Sequence, residues 1–254
     1  MDLRIKGKNA IVTGGSKGIG AGICEVLAEE GVNLVVDYRS DPEGSEEFVA
    51  KLNGMGIKAV GVQADVSIEE GVDKVYECAL EHFDRIDILV NNAGRGIHVP
   101  FNELTVQQWR NTQDVCLNSQ FLMSHKLVKL CLEWGTGAHI VNVLSKAAFT
   151  TNSTGNTAYI SAKGGGASFT RGLANEVTQF GIIVNGIVPG YVHNSRGAFN
   201  PETSAYAKKL IEEFIPTKRF GTPREMGDVV AFICSPRASQ IIGSIIDCSG
   251  GTML

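Results

Sequence analysis

The chain has no apolar run approaching the roughly 18 residues that a membrane-spanning helix needs, so no membrane span is expected. A long basic run is also missing. The 254 residues hold 23 Lys and Arg against 27 Asp and Glu, a formal charge of −4, and the electrostatic footprint of a nucleic-acid binder is absent. The six cysteines (Cys24, Cys78, Cys116, Cys131, Cys234 and Cys248) form no Cys-x-x-Cys pair, and His82, His98, His125, His139 and His193 are equally scattered. Neither set has zinc-ligand spacing, so reduced core thiols and no metal site are expected. The opening Met1-Asp2-Leu3-Arg4-Ile5-Lys6-Gly7 lacks the apolar segment and cleavage site of a secretory signal, and a cytoplasmic location is expected.

What the chain does have is an ordinary apolar fraction of 43% and a regular alternation of short β-branched runs with longer helical patterns. That alternation is the mark of βαβ units and a parallel sheet covered on both faces. Strands are expected at 9–13, 33–38, 58–62, 86–91, 139–144, 182–187 and 244–247, with helices at 18–30, 43–54, 69–83, 105–133, 157–180 and 224–235. Right-handed crossovers wind such units into a doubly wound α/β fold with a seven-stranded parallel sheet. No repeat or linker divides the chain, so a single domain over 1–254 is expected. The one long irregular stretch, from Pro189 to about Pro216, is read as a substrate lid, because long loops in compact domains are usually functional.

Four motifs carry chemistry. Thr13-Gly14-Gly15-Ser16-Lys17-Gly18-Ile19-Gly20 joins the first strand to a helix start, where backbone N–H groups and the helix dipole attract anions. Its glycine spacing differs from the usual G-x-G-x-x-G fingerprint. Asp37-Tyr38-Arg39-Ser40 ends the second strand, where an acid favours the ribose hydroxyls of NAD and an arginine the 2′-phosphate of NADP. With both signs present and Lys17 nearby, NADP(H) is favoured, with NAD(H) as the alternative. Asn91-Asn92-Ala93-Gly94 ends the fourth strand at the ligand-binding edge of such sheets. Finally, Tyr159 and Lys163 stand at i and i+4, fourteen positions or more beyond Ser145. On a helix they share a face, where an ammonium favours ionisation of a phenol that otherwise titrates near 10.

In this order and spacing the motifs resemble those of the short-chain dehydrogenase/reductase family over essentially the whole chain. The resemblance implies a Rossmann-type fold and hydride transfer between a dinucleotide and a carbonyl or alcohol. Gly14, Ser16, Lys17, Gly18, Ile19 and Gly20 are similar to its cofactor turn, Asp65 and Val66 to its adenine contact, and Asn92, Ala93 and Gly94 to its strand-four motif. Pro189-Gly190, with Val192 and Asn194 beyond it, resembles the segment beside the nicotinamide, and Tyr38, Arg39 and Ser40 the ribose contacts. Asn118, Ser145, Tyr159 and Lys163 align with its catalytic tetrad. By resemblance Tyr159 is the general acid and base, Lys163 holds charge near the phenol and bonds the nicotinamide ribose, Ser145 orients the substrate oxygen, and Asn118 holds a relay water. A homotetramer, or a homodimer, is implied in the same way.

The chain departs from the family pattern at Asn194, where threonine is frequent, at Leu144 before Ser145, and at Gly164-Gly165-Gly166 after Lys163. Three glycines inside a helix cost about 1 kcal/mol each against alanine and suggest close approach of another helix, within or between subunits. Candidate substrate-pocket residues are Arg95, Ile97, His98 and Val99, then Ala147, Phe149, Thr151 and Asn152, and Tyr191, His193, Asn194 and Phe199. This amphipathic set suits a small-molecule carbonyl or alcohol. The alternative is a 3-oxoacyl-(acyl-carrier-protein) reductase, which requires basic residues at the entrance; Lys126, Lys129 and Arg171 would have to supply them. A non-catalytic NADP-binding sensor is the third reading.

Overall fold

The computed structural model describes residues 1–150, 154–193 and 204–254. Seven parallel strands form one sheet: β1 (Asn9–Val12), β2 (Asn33–Tyr38), β3 (Ala59–Gln63), β4 (Ile88–Asn91), β5 (Ala138–Val143), β6 (Ile182–Pro189) and β7 (Ile245–Cys248). Their spatial order is β3-β2-β1-β4-β5-β6-β7. The reversal between β1 and β4 opens a crevice at the carboxyl edge, the place where open α/β sheets bind ligands. The central strands carry Ile, Val and Leu at successive positions because both of their faces are covered. One apolar cluster, including Ile23, Leu27, Val36 and Val230, lies on one face of the sheet. A second, including Val75, Leu89, Met123 and Leu127, lies on the other.

The helices are α1 (Gly18–Glu29), α2 (Pro42–Asn53), α3 (Glu69–His82), α4 (Val106–Gln113), α5 (Ser119–Trp134), α6 (Thr157–Val177), α7 (Ala205–Glu213) and α8 (Pro223–Ile233). Two of these correct the expectations from sequence. The helix expected over 105–133 is divided by a π-helical turn at Asp114–Asn118, which changes the direction its side chains face. The stretch expected to be irregular up to Pro216 contains α7, capped by the Ser204 hydroxyl accepting from the Ala207 N–H at 3.2 Å. Ala207 and Leu210, three residues apart, pack with Ile215 and Phe220, the stripe spacing of an amphipathic helix.

A buried chain of side-chain hydrogen bonds anchors α6 to the sheet. The Asn91 amide donates to Asn142 Oδ1 at 2.9 Å and to Ser124 Oγ at 3.0 Å. Asn142 in turn donates to Thr170 Oγ1 at 2.9 Å, and Thr170 donates to the Gly166 carbonyl. Within the glycine run of α6, a Cβ on Gly165 would lie 2.9 Å from Leu117 and one on Gly166 2.9 Å from Gln120. The close approach implied by these two glycines is therefore to the neighbouring segment of the same chain, while Gly164 has open space beside it.

The helices α1 and α8 touch backbone to backbone. A Cβ on Gly22 would sit 2.3 Å from the Pro223 backbone carbon, and the pair is also held by Arg224 bridging to Glu29. Overpacking a contact of this kind costs about 1–3 kcal/mol. Gly22→Ala should lower stability by that amount, read as a fall in the urea midpoint.

Candidate active site

The glycine turn is fixed from two sides. The Thr13 hydroxyl accepts from the backbone N–H groups of Asn92 and Ala93, each at 3.0 Å. The Asn92 amide returns two bonds, to the carbonyls of Thr13 at 2.9 Å and Gly14 at 3.0 Å. On the other side Asp37 Oδ2 accepts from the Gly14 N–H at 3.0 Å. Gly20 must lack a side chain, since its Cβ would fall 2.3 Å from the Gly14 carbonyl oxygen. The turn leads into α1, which has no side-chain cap and no acidic residue in its first turn. The N–H groups at the start of a helix have no intrahelical partner, so α1 presents donors suited to a phosphate group.

The groove at this edge has two lobes. The first, about 390 Å³, is bordered by Gly14, Lys17, Gly18 and Ile19 of the turn, by Asn92, Ala93 and Gly94 after β4, and by Ser145, Tyr159 and Lys163. Pro189, Gly190, Val192 and His193 close it from the end of β6. The second, about 400 Å³, shares Gly14, Lys17, Ala93 and Gly94 and extends to Arg39, Ser40, Asp65 and Val66. This shape, with small residues at its waist and a bare helix start beside it, fits an extended dinucleotide. The turn and Arg39 would hold its phosphates, and the Val66 side its adenine.

Of the candidate catalytic and cofactor residues, Ser16, Gly20, Tyr38 and Asn118 border neither lobe, and of the substrate-pocket candidates Arg95 and His193 border one, whereas Ile97, His98, Val99, Ala147, Phe149 and Tyr191 do not. Gly20 packs against the Gly14 carbonyl from within the turn, and Tyr38 is buried at the strand end. Asn194, Thr151, Asn152 and Phe199 lie outside the described residues. Asn118 is the substantive correction. It is exposed, and its amide donates to Asp114 Oδ1 at 2.7 Å along its own helix, beside a separate surface cleft bordered by Ser67 and Phe121. The structure does not bring it to Lys163. The π-helical turn instead points Cys116 inward, fully buried, and sequence reading misses it because a single thiol carries no spacing signal.

Lys163 is 2% exposed and its ammonium donates to the Val143 carbonyl at 2.7 Å. It lies 5.8 Å from the Tyr159 ring centroid. Burial pulls the Lys163 ammonium below its usual range. Burial also pushes the Tyr159 phenol up to about 12, negative charge at Cys116 would add to the rise, and a hydrogen bond with Ser145 opposes it. Ser145, from the turn after β5, and Tyr159 and Lys163, from α6, thus converge on one lobe. A phenol able to exchange a proton, with a hydroxyl able to hold the same oxygen, suits reduction of a carbonyl or oxidation of an alcohol. No cluster of three or more metal-ligating side chains occurs among the described residues, and none of the described helices is long and apolar enough to cross a membrane.

The family described as short chain dehydrogenase matches residues 8–203. Glucose 1-dehydrogenase 2 of Bacillus subtilis is 35% identical over 251 residues, covering 98% of this chain and 96% of that protein. A 3-oxoacyl-(acyl-carrier-protein) reductase of Aquifex aeolicus is 34% identical over 253 residues, 99% of each. Among solved structures, L-sorbose reductase of Gluconobacter frateurii, complexed with NADPH and L-sorbose, superposes with a TM-score of 0.92 at 30% identity, over 100% of this chain and 99% of that one.

Asp37 behaves unlike an exposed ribose contact. It is 2% exposed, Oδ1 has no hydrogen-bond partner, and burial pushes its carboxyl up to about 7 against the opposing Gly14 bond. A carboxyl that holds its proton more tightly folded than unfolded makes the unfolded state the weaker proton binder. Stability therefore falls as pH rises from the ordinary carboxylate range through about 7. The melting temperature of the ligand-free protein should decline over that window, and Asp37→Asn, which stays uncharged, should flatten the decline and be the more stable form above it.

Proposed function

Because the chain belongs to the short-chain dehydrogenase/reductase family, and is therefore an oxidoreductase, we propose that it is an NADP(H)-dependent enzyme interconverting a small-molecule ketone and its secondary alcohol. The observation that carries this reading is the convergence of Ser145, Tyr159 and Lys163 on the lobe bordered by the glycine turn. The whole chain acts as one catalytic domain; of the stretch at about 189–216 read as a substrate lid, residues 194–203 lie outside the described residues. A nicotinamide dinucleotide, when bound, supplies or takes the hydride. The chain's own groups do the rest. Tyr159 gives its proton to the substrate oxygen in reduction and takes it back in oxidation. Ser145 donates a hydrogen bond to that oxygen and aligns it, and Lys163 keeps positive charge beside the phenol and holds the nicotinamide ribose.

The preference for NADP(H) over NAD(H) is supported by the directions of the two opposed side chains. All three side chains border the outer lobe, but Asp37 is buried and accepts from the Gly14 N–H, whereas Arg39 and Lys17 are exposed. Arg39 is only loosely paired with Asp65, at 3.7 Å with both side chains substantially exposed, and such a pair contributes little. Its guanidinium is free to turn to a 2′-phosphate.

The substrate reading draws support from two relatives named for sugars, glucose 1-dehydrogenase 2 and L-sorbose reductase. A second reading, reduction of 3-oxoacyl groups on a carrier protein, is supported by the Aquifex aeolicus relative. The open space beside Gly164 and the exposed Phe121 on the adjoining α5 support assembly into a homotetramer or homodimer.

The test is the initial rate of NADPH and NADH oxidation with a panel of ketones, ketose sugars and a 3-oxoacyl thioester. Turnover of a ketone or sugar is expected, and activity confined to the thioester would replace the first reading by the second. Tyr159→Phe should lower kcat by about 100-fold or more with dinucleotide affinity nearly intact, and near-normal turnover would overturn the role given to Tyr159. Arg39→Ala should weaken NADPH by about tenfold or more, in line with loss of a charge-assisted phosphate contact, while NADH changes little. Equal losses would place the 2′-phosphate elsewhere.

A further inference from the structure

The backbone after β4 crosses the proton-transfer groups as a Gly-x-Gly strip, Gly94-Arg95-Gly96. Each of its residues meets a different group. At Gly94 a Cβ would lie 3.3 Å from Lys163 Nζ and 3.5 Å from Cys116 Sγ, so the ammonium and the thiol border the same bare Cα. At Gly96 a Cβ would lie 3.6 Å from Tyr159 Cγ, so the strip passes over the phenol ring. Between them, Arg95 is held by one side chain at both of its backbone polar groups. Its N–H donates to Cys116 Sγ at 3.4 Å, and Cys116 donates back to its carbonyl at 3.5 Å.

The thiol comes from the π-helical turn, the segment whose extra residue aims it inward while Asn118 faces out. The turn is held in its own right: the Gln120 amide, on a fully buried side chain, donates to the Cys116 carbonyl at 3.2 Å. Gln113 donates to the Ala158 carbonyl at 2.9 Å, one residue before Tyr159. The π turn, the strip and α6 thus form one seam, with Cys116 at its centre.

We infer that Cys116 is a positioning residue for proton transfer: by clasping the Arg95 peptide it fixes the height of the Gly94-Arg95-Gly96 strip, and so the placement of the Lys163 ammonium relative to the Tyr159 phenol. This rests on the reading of Tyr159 and Lys163 given above. Cys116 touches no reacting atom and acts only through the strip. Its size and its hydrogen bonds matter together. The Cys116 side chain spans the gap to both backbone groups, while negative charge there would make the Tyr159 phenol harder to ionise. The other groups facing this seam are Ser145, bonded to the phenol, and the Val143 carbonyl, bonded to the ammonium.

Cys116→Ala and Cys116→Ser separate positioning from packing. In the alanine variant kcat for alcohol oxidation, measured with the best panel substrate, should fall about tenfold or more, the size of effect that a sub-ångström to ångström misplacement produces. The rise of kcat with pH should move to higher pH, because an ammonium held less closely favours the phenolate less. KM for the dinucleotide should stay within about twofold, since the phosphate contacts lie elsewhere in the groove. Serine, which keeps a donor and an acceptor, should restore most of kcat and return the pH limb towards wild type. Gly94→Ala, which pushes a methyl group into the same gap from the strip side, should move the limb in the same direction, and serves if Cys116→Ala does not fold.

A second readout needs no substrate. Amide exchange over residues 94–96 should speed up about tenfold in Cys116→Ala, as expected for local loss of backbone hydrogen bonds, and return in Cys116→Ser. A pH limb that stays put in Cys116→Ala and Gly94→Ala, with any lost activity tracking the melting temperature, overturns the inference. So does unchanged exchange over 94–96. Loss of dinucleotide binding, or full activity in Tyr159→Phe, would instead strike the proposed function.

Discussion

A single buried cation sets the conditions that the rest of this site meets. Lys163 carries its ammonium into the interior with one hydrogen bond of 2.7 Å, to the last carbonyl of β5. Burying an isolated charge is expensive unless it is hydrogen-bonded, and the depressed proton affinity of Lys163 reflects that cost. The bond exists only because β5 ends where it does. At that edge the Val143 carbonyl points to α6, and α6 is held in place by the Asn91, Asn142 and Thr170 hydrogen-bond chain. The glycine at position 94 then leaves the room that the ammonium occupies.

The same economy of space organises the other half of the groove. Thr13 and Asn92 lock β1 to β4 across the switch in strand order, and the glycine turn lies where their bonds put it. Asp37 holds the turn from beneath through the Gly14 N–H while leaving one of its oxygens without a partner. An unsatisfied buried oxygen works against stability. Strain or unmet polarity of this sort is more often tolerated at functional sites than elsewhere, and here it lies beside the turn whose N–H groups face the groove.

Much of this arrangement is legible in the chain. Buried parallel strands must be apolar on both faces, so β2 is read within its true bounds and the other strands within one or two residues from their β-branched runs alone. The order of the glycine turn, the Asn-Asn-Ala-Gly end of β4, Ser145 and the Tyr159–Lys163 pair then points to one edge of one sheet, and the structure gathers those residues there. The failures have physical causes. A π-helical turn adds a residue to one helical circuit and rotates the residues beyond it by about 100°, so helical periodicity across 105–133 misassigns its inner face. Motif resemblance singles out Asn118, while Cys116, a single thiol with no spacing signal, goes unnoticed. Helix α7 is hidden because its neighbours are rich in residues that favour turns, although the Ser204 cap and the Ala207, Leu210 spacing are in the sequence. The inward direction of Asp37 is not readable at all, since it depends on a backbone N–H in a distant turn.

The two groups proposed for proton transfer also show why position outweighs identity here. Sequence spacing places an amine near a phenol and suggests an easily ionised tyrosine. Burial works the other way, lifting the phenol to about 12 and lowering the ammonium, so the Tyr159 phenol keeps its proton at neutral pH and is ready to act as an acid. To act as a base it needs positive charge brought closer, and Lys163 carries the only fully buried ammonium among the described residues. At an effective dielectric constant of about 20, a change of one ångström at about 4 Å separation alters a charge–charge energy by nearly 1 kcal/mol, more than half a pKa unit. On the proposed reading, tyrosine and lysine supply the groups, and the seam between the π turn, the glycine strip and α6 sets how strongly one acts on the other.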